Sequence, residues 1–521
     1  MQKLKIGILD LVANRSKRTL WSRTMNPNFA SIMPQVIATW CEAEGHAVTF
    51  GYYLGGEDIA EALPADDDLD LVIISSYTQA AQLAYALSNF YRSKGAMTVL
   101  GGPHARCYPQ DAAKYFDYVL GFTDKTVIYD LLQDCSQHRP IGVHLSANKQ
   151  PTVFPGVQER WKFIDLAHRK APWIKLVPML GSTGCPYTCS FCIDSVVPYQ
   201  PLDFDTLKSD LRFLLGKFKR PLVGWHDPNF GIRFDAYMSA IEEAVPENSI
   251  DFVAESSLSL LSEPHVQRLK RNGFVALLPG IESWSDFGNK SKTGRNSGID
   301  KVRRVSEQVN MILRYVPYVQ TNFVLGVDAD EGIEPFELTK HFVDITPGAF
   351  PAYALLTAYG QAAPLNLEYQ RSDRVMPVPF HFLGNTQSMN VKPKNYAWDT
   401  FYKSMIDLLG HSVSWKSIFK RYNSTKALIP RWLNTIRGIS EFKRVRLYHE
   451  TVRQFDENPG FKAFFEGETR EIPQFFVNRI REDLGAFWEW LPEGALYHDP
   501  NAYLKTQETS LTQLDNLMTQ V

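Results

Sequence analysis

Gly184-Cys185-Pro186-Tyr187-Thr188-Cys189-Ser190-Phe191-Cys192 is the stretch on which the reading of this chain turns. It sets three thiols at C-x3-C-x2-C spacing, directly after a run, Ile174 to Gly181, that reads as a strand. Thiolates are soft donors suited to zinc or to iron-sulfur clusters. A closed zinc site takes four ligands, usually as two neighbouring pairs. No second pair, and no other cysteine or histidine, stands within the loop. A 4Fe-4S cluster held by three cysteines leaves one iron open to substrate. The alternatives are a zinc ion completed by a distant ligand such as His226, or a cluster with a purely structural or electron-transfer role.

The strand ahead of the loop is the first of a series. Ile174 to Gly181, Leu222 to His226, Ile250 to Glu255, Val275 to Ile281, Val316 to Leu325 and Ala352 to Ala358 read as strands separated by helical patterns. Six strand-helix repeats predict a partial (β/α)6 barrel of the TIM type, whose chemistry sits in the loops after its strands. The cysteine loop follows the first strand, where that rule puts a reactive centre. Upstream, strands over Leu4 to Leu11, Ala47 to Leu54, Leu69 to Ser75, Ala96 to Gly101 and Tyr118 to Gly121 alternate with helices such as Phe29 to Glu44 and Gln79 to Arg92. This predicts a doubly wound, Rossmann-like sheet with ligand-facing loops at Asp10 to Lys17, Ser75 to Gln79 and Gly101 to Cys107. The glycine-rich turn of a nicotinamide fold is missing after its first strand, which reads Gly7-Ile8-Leu9-Asp10-Leu11-Val12. The chain therefore divides, as an α/β protein, into a doubly wound domain (1–135), a proline-bearing linker (136–171), a barrel (172–375) and a mostly helical carboxyl-terminal domain (376–521).

Composition agrees with several globular domains. A length of 521 residues exceeds one ordinary core, and 44% hydrophobic with 21% charged residues excludes disorder and collagen-like or coiled-coil architecture. Lys plus Arg (55) nearly balances Asp plus Glu (57), so no global field holds the chain on nucleic acid or an anionic membrane, and such contacts would be local. The first apolar run carries Asp10 and no cleavage site follows it, so it reads as a buried strand rather than a signal peptide. No window approaches the roughly 18 apolar residues of a membrane span, and the mean hydropathy of -0.23 agrees. These features predict a cytoplasmic protein with reduced thiols, in which clustered cysteines bind metal. Cys41, Cys107 and Cys135 are scattered without such spacing.

The cysteine loop, with Phe191 directly before its last cysteine, resembles the signature of the radical S-adenosylmethionine superfamily, and the resemblance extends to about Gly360. Leu278-Pro279-Gly280-Ile281-Glu282-Ser283 is similar to the Gly-Ile-Glu-Ser stretch near the ribose in such enzymes. Phe323-Val324-Leu325-Gly326, followed by Asp330, resembles their Phe-Ile-Leu-Gly stretch, and Trp225-His226-Asp227-Pro228-Asn229-Phe230 their Asp-Asp-Asn-Phe segment. The resemblance implies that Cys185, Cys189 and Cys192 hold a 4Fe-4S cluster whose open iron chelates S-adenosylmethionine. One electron then yields a 5′-deoxyadenosyl radical, which abstracts hydrogen from an unactivated carbon. Phe191, Asp227, Glu255, Glu282, Ser283 and Gly326 are the implied S-adenosylmethionine contacts.

The first domain resembles the cobalamin-binding domain of class B radical methylases. Ser75-Ser76-Tyr77-Thr78 is similar to their Ser-x-x-Thr turn, and Leu100-Gly101-Gly102-Pro103-His104 supplies small residues for close approach of a nucleotide tail and corrin. Ser75, Thr78, Gly101 and Gly102 are the implied cobalamin contacts. Val12 stands where other cobalamin domains carry an axial histidine, which implies cobalt without a protein imidazole. Gly121-Phe122-Thr123-Asp124 likewise departs from the family's acidic Gly-Glu-Gly-Glu. His104 reads as a partly exposed loop residue.

The carboxyl-terminal stretch sets Lys416, Lys420, Arg421, Lys426, Arg431, Arg437, Lys443, Arg444 and Arg446 among Trp415, Phe419, Tyr422, Trp432 and Phe442. It reads as helices with an aromatic core side and a solvated basic side, the alternatives being a cover over the barrel mouth or a peripheral membrane contact. No nucleic-acid motif accompanies the charge. The aromatic pairs Phe464-Phe465 and Phe487-Trp488 read as core. The function expected is C-methylation of a small or lipid-like metabolite: methylcobalamin delivers the methyl group, a second S-adenosylmethionine restores it, and flavodoxin or ferredoxin supplies electrons. No catalytic residue is assigned beyond the cofactor sites. The alternatives are cyclisation or rearrangement on the same assembly, and a non-catalytic iron-sulfur or corrinoid-binding protein.

Overall fold

A computed structural model describes residues 3–14, 19–55, 59–63, 68–135, 141–147, 149–195, 197–285 and 297–502. The expected surface tail from Thr506 onward, and part of the loop Asp10 to Lys17, lie outside the described residues.

Short aliphatic runs buried on both sides form the centre of the first sheet, and its edges are less buried. Strands β1 (Lys5–Leu11), β2 (Ala47–Tyr53), β3 (Leu71–Ser76), β4 (Met97–Gly101), β5 (Tyr118–Leu120) and β6 (Val143–Leu145) run in parallel in the order β2-β1-β3-β4-β5-β6. The order reverses between β1 and β3, where Asp10 pairs with Ser75, and a doubly wound sheet opens its ligand crevice at that point. The segment expected as a linker contributes β6 and a helix, α1 (Val157–Lys170). Three prolines masked the strand, and a charge masked the helix. Arg160 occupies its buried stripe beside Val157, Ile164 and Ala167, bonding to Gln35 Oε1 (2.6 Å) and the Pro155 carbonyl (2.9 Å).

The second sheet holds β7 (Leu176–Met179), β8 (Leu222–Trp225), β9 (Asp251–Ser257), β10 (Phe274–Glu282), β11 (Tyr318–Leu325) and β12 (Ala349–Leu355). They pair in sequential parallel order, with β7 and β12 as open edges, so the barrel is partial. Burial alternates along β11 and β12: one set of side chains packs under the helices, and the other stays half-exposed on the concave face. One continuous apolar core joins the inner side of the first sheet, the barrel and the carboxyl-terminal helices. A smaller core covers the other face of the first sheet.

The carboxyl-terminal region is helical, led by α2 (Trp398–Ser412), α3 (Trp415–Asn423) and the 30-residue α4 (Leu428–Glu457). Phe464 and Phe465 are fully buried, and Phe487 packs on Phe90 with ring centroids 5.7 Å apart. The expected aromatic core side of α3 and α4 is corrected. Trp415, Phe419 and Trp432 face outward, while Ile418, Arg421, Asn434 and Gly438 take the inward positions. Amphipathic spacing shows that two faces exist without saying which one meets the core.

Candidate active site

A cavity of about 690 Å³ lies on the concave face of the barrel, within the range of pockets that hold small molecules. Tyr77, Thr78 and Gln79 after β3, with Pro103 and Cys107 after β4, close it from the first domain. Phe191 and Ile193 border it from the cysteine loop, Glu255 and Glu282 from the ends of β9 and β10, and Arg437 from α4. Elements as far apart in sequence as Tyr77 and Arg437 thus meet around one space.

The cysteine loop is shaped by its own backbone. Gly184 sits at φ 66°, and a Cβ there would come within 2.3 Å of the Pro198 carbonyl, so glycine is required at the turn into Cys185. The Cys185 N–H donates to the Val197 carbonyl (3.2 Å) and the Asp194 N–H to Cys192 Sγ (3.5 Å). Cys185 and Cys189 are buried and Cys192 half-buried. From the first domain, Arg106 donates to the Ile193 carbonyl (3.1 Å), pairs with Asp194 (3.6 Å) and stacks on Phe122. Among the described residues no three His, Cys, Asp or Glu side chains converge on one metal ion. A cluster asks something else of its thiolates, which bind different irons of one cube. Three soft donors on a shielded loop fit it.

Glu282 carries the most unusual backbone of the site. It ends β10 at φ 69°, in the left-handed region that costs a non-glycine residue about 1–2 kcal/mol, and the β10–β11 register slips beside it. Its side chain is 8% exposed and folds over Gly280, where a Cβ would come within 2.2 Å of Oε1. Gly280 therefore makes the room in which this carboxylate reaches the cavity. Glu255 lines the same end. Two acceptors at the strand ends fit an ammonium and ribose hydroxyls.

Asp227, Ser283 and Gly326 stand one layer behind the cavity wall. Asp227 accepts from the Gly181 N–H (2.9 Å) and the Ser182 hydroxyl, bracing the chain as it enters the cysteine loop. Asp330 accepts from the Gly326 N–H (3.0 Å) and from Ser283 Oγ (3.4 Å), tying the ends of β10 and β11 together. Burial pushes both carboxyls up to about 6 against the hydrogen bonds they receive.

In the first domain, Thr78 lines the cavity while Ser75, Gly101 and Gly102 lie beside it. Gly102 has φ 90°, and its Cβ would meet Ser76 O at 2.9 Å. Gly101 is buried, yet a Cβ there would meet no atom within 4 Å. That gap next to Ser75 leaves room for a ligand to approach the backbone, which is compatible with a nucleotide tail. Among the described residues no histidine lines the cavity, and Val12 packs near Ala30 and Tyr52 instead. His104 is corrected to fully buried: its Nε2 lies 2.6 Å from Tyr85 Oη, which donates to Asp111 (2.9 Å), and burial lowers its pKa to about 3.

Gln79 and Cys107 fall in the loops expected to face a ligand and Arg437 in the basic stretch, none of them singled out as a contact, whereas Gln320 and Asn322 were missed outright. Alternation along the fifth barrel strand was the one available signal, since Gln320, Asn322 and Val324 share a face. Cys107 is a cavity thiol whose pKa burial pushes up to about 12, which keeps it unreactive.

No family model matches the sequence. The structure of the cobalamin-dependent S-adenosylmethionine radical enzyme OxsB, with aqua-cobalamin and S-adenosylmethionine bound, aligns with a TM-score of 0.54 at 12% identity, covering 98% of this chain and 81% of that one. The chain has the fold of the cobalamin-dependent radical S-adenosylmethionine enzymes. In sequence it is similar to two methyltransferases of Chlorobaculum tepidum. The bacteriochlorophyllide d C-12(1)-methyltransferase is 24% identical over 311 residues, covering 58% of this chain and 67% of the relative. The C-8(2)-methyltransferase is 24% identical over 389 residues, covering 71% and 84%.

Proposed function

We propose that this chain is a cobalamin-dependent radical S-adenosylmethionine enzyme that methylates a carbon of a small or lipid-like metabolite. The observation that carries the reading is convergence: the cysteine loop, the two strand-end glutamates and the Thr78 turn of the first sheet border one cavity. Methyl transfer is supported by what the two relatives are named for. Cys185, Cys189 and Cys192 would hold the 4Fe-4S cluster. Phe191, Glu255 and Glu282 would receive S-adenosylmethionine, with Asp227, Ser283 and Gly326 fixing the segments behind them. Ser75, Thr78, Gly101 and Gly102 would receive cobalamin. Bound together, these groups supply hydrogen abstraction and methyl delivery, one S-adenosylmethionine leaving as 5′-deoxyadenosine and methionine and a second as S-adenosylhomocysteine.

The chain's own part is to orient and to exclude water. Leu278, Val324, Ala352 and Ala354 give the substrate an apolar wall, and Arg437 is the one cation that lines the cavity among the described residues. Gln320 Oε1 and, at 3.1 Å, Tyr318 Oη accept from its Nη1, its guanidinium stacks on Phe350, and no carboxylate pairs with it among the described residues. Gln320 lies three residues before Phe323, the register partner of Glu282, or about 10 Å down the strand. A substrate with an anionic end at Arg437 would thus present a carbon to the acidic end of the cavity. A flavodoxin or ferredoxin donor, a cytoplasmic location and contact with a membrane surface complete the proposal. Anaerobic turnover with S-adenosylmethionine and a low-potential reductant tests it. The expected products are 5′-deoxyadenosine and S-adenosylhomocysteine, with a Cys189→Ala control giving neither. No 5′-deoxyadenosine above that control overturns the enzyme reading, and 5′-deoxyadenosine without S-adenosylhomocysteine overturns methyl transfer.

A further inference from the structure

Apolar side chains that a soluble surface ordinarily hides stand together on α3 and α4. Trp415, Phe419, Leu428 and Ile429 are 67–68% exposed, Trp432 59% and Ile439 45%. Trp415 and Phe419 share one face of α3 at i, i+4 spacing. Leu428, Trp432 and Ile439 share one face of α4 at i, i+4, i+11, and Lys443 and Arg446 continue that face. The helices cross where a Cβ on Gly438 would touch Ile418 (3.1 Å), and Trp415 meets Phe442 with ring centroids 6.0 Å apart, so the two faces form one surface. Its apolar area is on the order of several hundred Å², the size at which an exposed patch marks an interaction site.

The charge of the same surface is predominantly positive. From Ser412 to Arg446 the sequence contains nine Lys or Arg and one acid, Glu441, which pairs with Arg444 at 3.6 Å. Arg421 and Arg437 turn inward. Lys416, Lys420, Lys426, Lys443 and Arg446 are exposed around the apolar residues. Among the described residues only Lys420 of these reaches an acid, Asp344 at 3.9 Å. Tryptophan and phenylalanine ringed by lysine suit the interface of a bilayer, where rings enter the headgroup boundary and cations meet anionic lipid. A second copy of this chain fits poorly, because a two-fold contact would set these cations against themselves. No helix among the described residues is long and apolar enough to cross a membrane, so the contact is peripheral.

We infer that α3 and α4 as far as Arg446 dock this protein on anionic lipid headgroups, with Trp415, Phe419 and Trp432 inserted and Lys416, Lys426 and Lys443 against the lipid charge. The inference rests on the membrane contact proposed above and is independent of the methyl transfer. Its consequence for substrate is geometric. One helix, α4, carries Trp432 and Ile439 outward and Arg437 into the cavity, so docking sets the cavity wall beside the bilayer, where an anionic lipophile would partition.

Co-sedimentation of the full chain with phosphatidylcholine vesicles, with and without phosphatidylglycerol, tests this without any turnover. The chain is expected to sediment with the anionic vesicles alone and to be released by high salt. Trp415→Ser with Trp432→Ser is expected to weaken partition by at least about tenfold, the effect of withdrawing one large apolar side chain. Lys416→Glu with Lys443→Glu should abolish the dependence on anionic lipid. All four residues are exposed, so circular dichroism and the urea midpoint should match the parent chain. Absence of binding to either vesicle overturns the inference. So does binding untouched by both double variants, or a dimer in solution that the tryptophan variant dissociates. Loss of 5′-deoxyadenosine formation would bear on the proposed reaction and leave this result standing.

Discussion

Replacing Glu282 separates backbone strain from carboxylate chemistry. At φ 69° a side chain costs about 1–2 kcal/mol and glycine nearly nothing, so Glu282→Gly should be more stable than Glu282→Ala by about 1 kcal/mol. Both variants lack the carboxylate, so the difference reports the backbone alone. The usual order is the reverse, with alanine more stable than glycine by about 0.4–1 kcal/mol wherever the backbone is ordinary. With a slope of about 3 kcal/mol per molar urea, the glycine variant should unfold about 0.3 M later than the alanine variant. Glu282→Gln keeps the length and the strain, and should keep the parental urea midpoint while weakening S-adenosylmethionine binding at least about tenfold, the worth of a charge-assisted hydrogen bond. Equilibrium dialysis of the cluster-loaded chain measures the second quantity. Alanine more stable than glycine, or undiminished binding by the glutamine variant, would refute the reasoning.

The other predictions are tests of single contacts. Gly101→Ala should leave the urea midpoint unchanged, because its Cβ meets no protein atom, and should weaken cobalamin binding at least about tenfold as read from corrinoid absorbance. Arg106→Ala keeps all three thiolates but releases the loop at Ile193 and Asp194. Its cluster should form at full iron content and bleach in air roughly fivefold faster, the effect of one contact worth about 1 kcal/mol. Asp330 has a pKa raised by burial to about 6, so the stability it permits is full below about pH 4 and is lost as pH rises through 6. The loss is at most about 3 kcal/mol. Asp330→Asn should flatten that decline between pH 4 and 6 in urea titrations. An unchanged slope would mean that the carboxyl is not held protonated.

The cysteine loop was legible because its spacing is local: three thiols that could hold one cluster fit within nine residues. Period-two and period-3.6 patterns likewise foretold both sheets, since those patterns are set by which neighbours in sequence face the core. The helix Val157–Lys170 escaped because Arg160 stands in its apolar stripe, and a buried arginine looks exposed until Gln35 is found beside it. His104 escaped for the same reason, its burial being arranged by Tyr85 and Asp111.

By itself, the sequence determined which atoms could hold the cluster, that two parallel sheets succeed each other, and that no glycine-rich nicotinamide turn is present. Only the tertiary structure decided which carboxylates reach the cavity and which brace it from behind, because Glu282 and Asp227 differ in direction and not in type. It also decided that α3 and α4 turn tryptophan to the outside and arginine to the inside. Amphipathic spacing fixes two faces of a helix, but only packing against another element chooses the one that is buried.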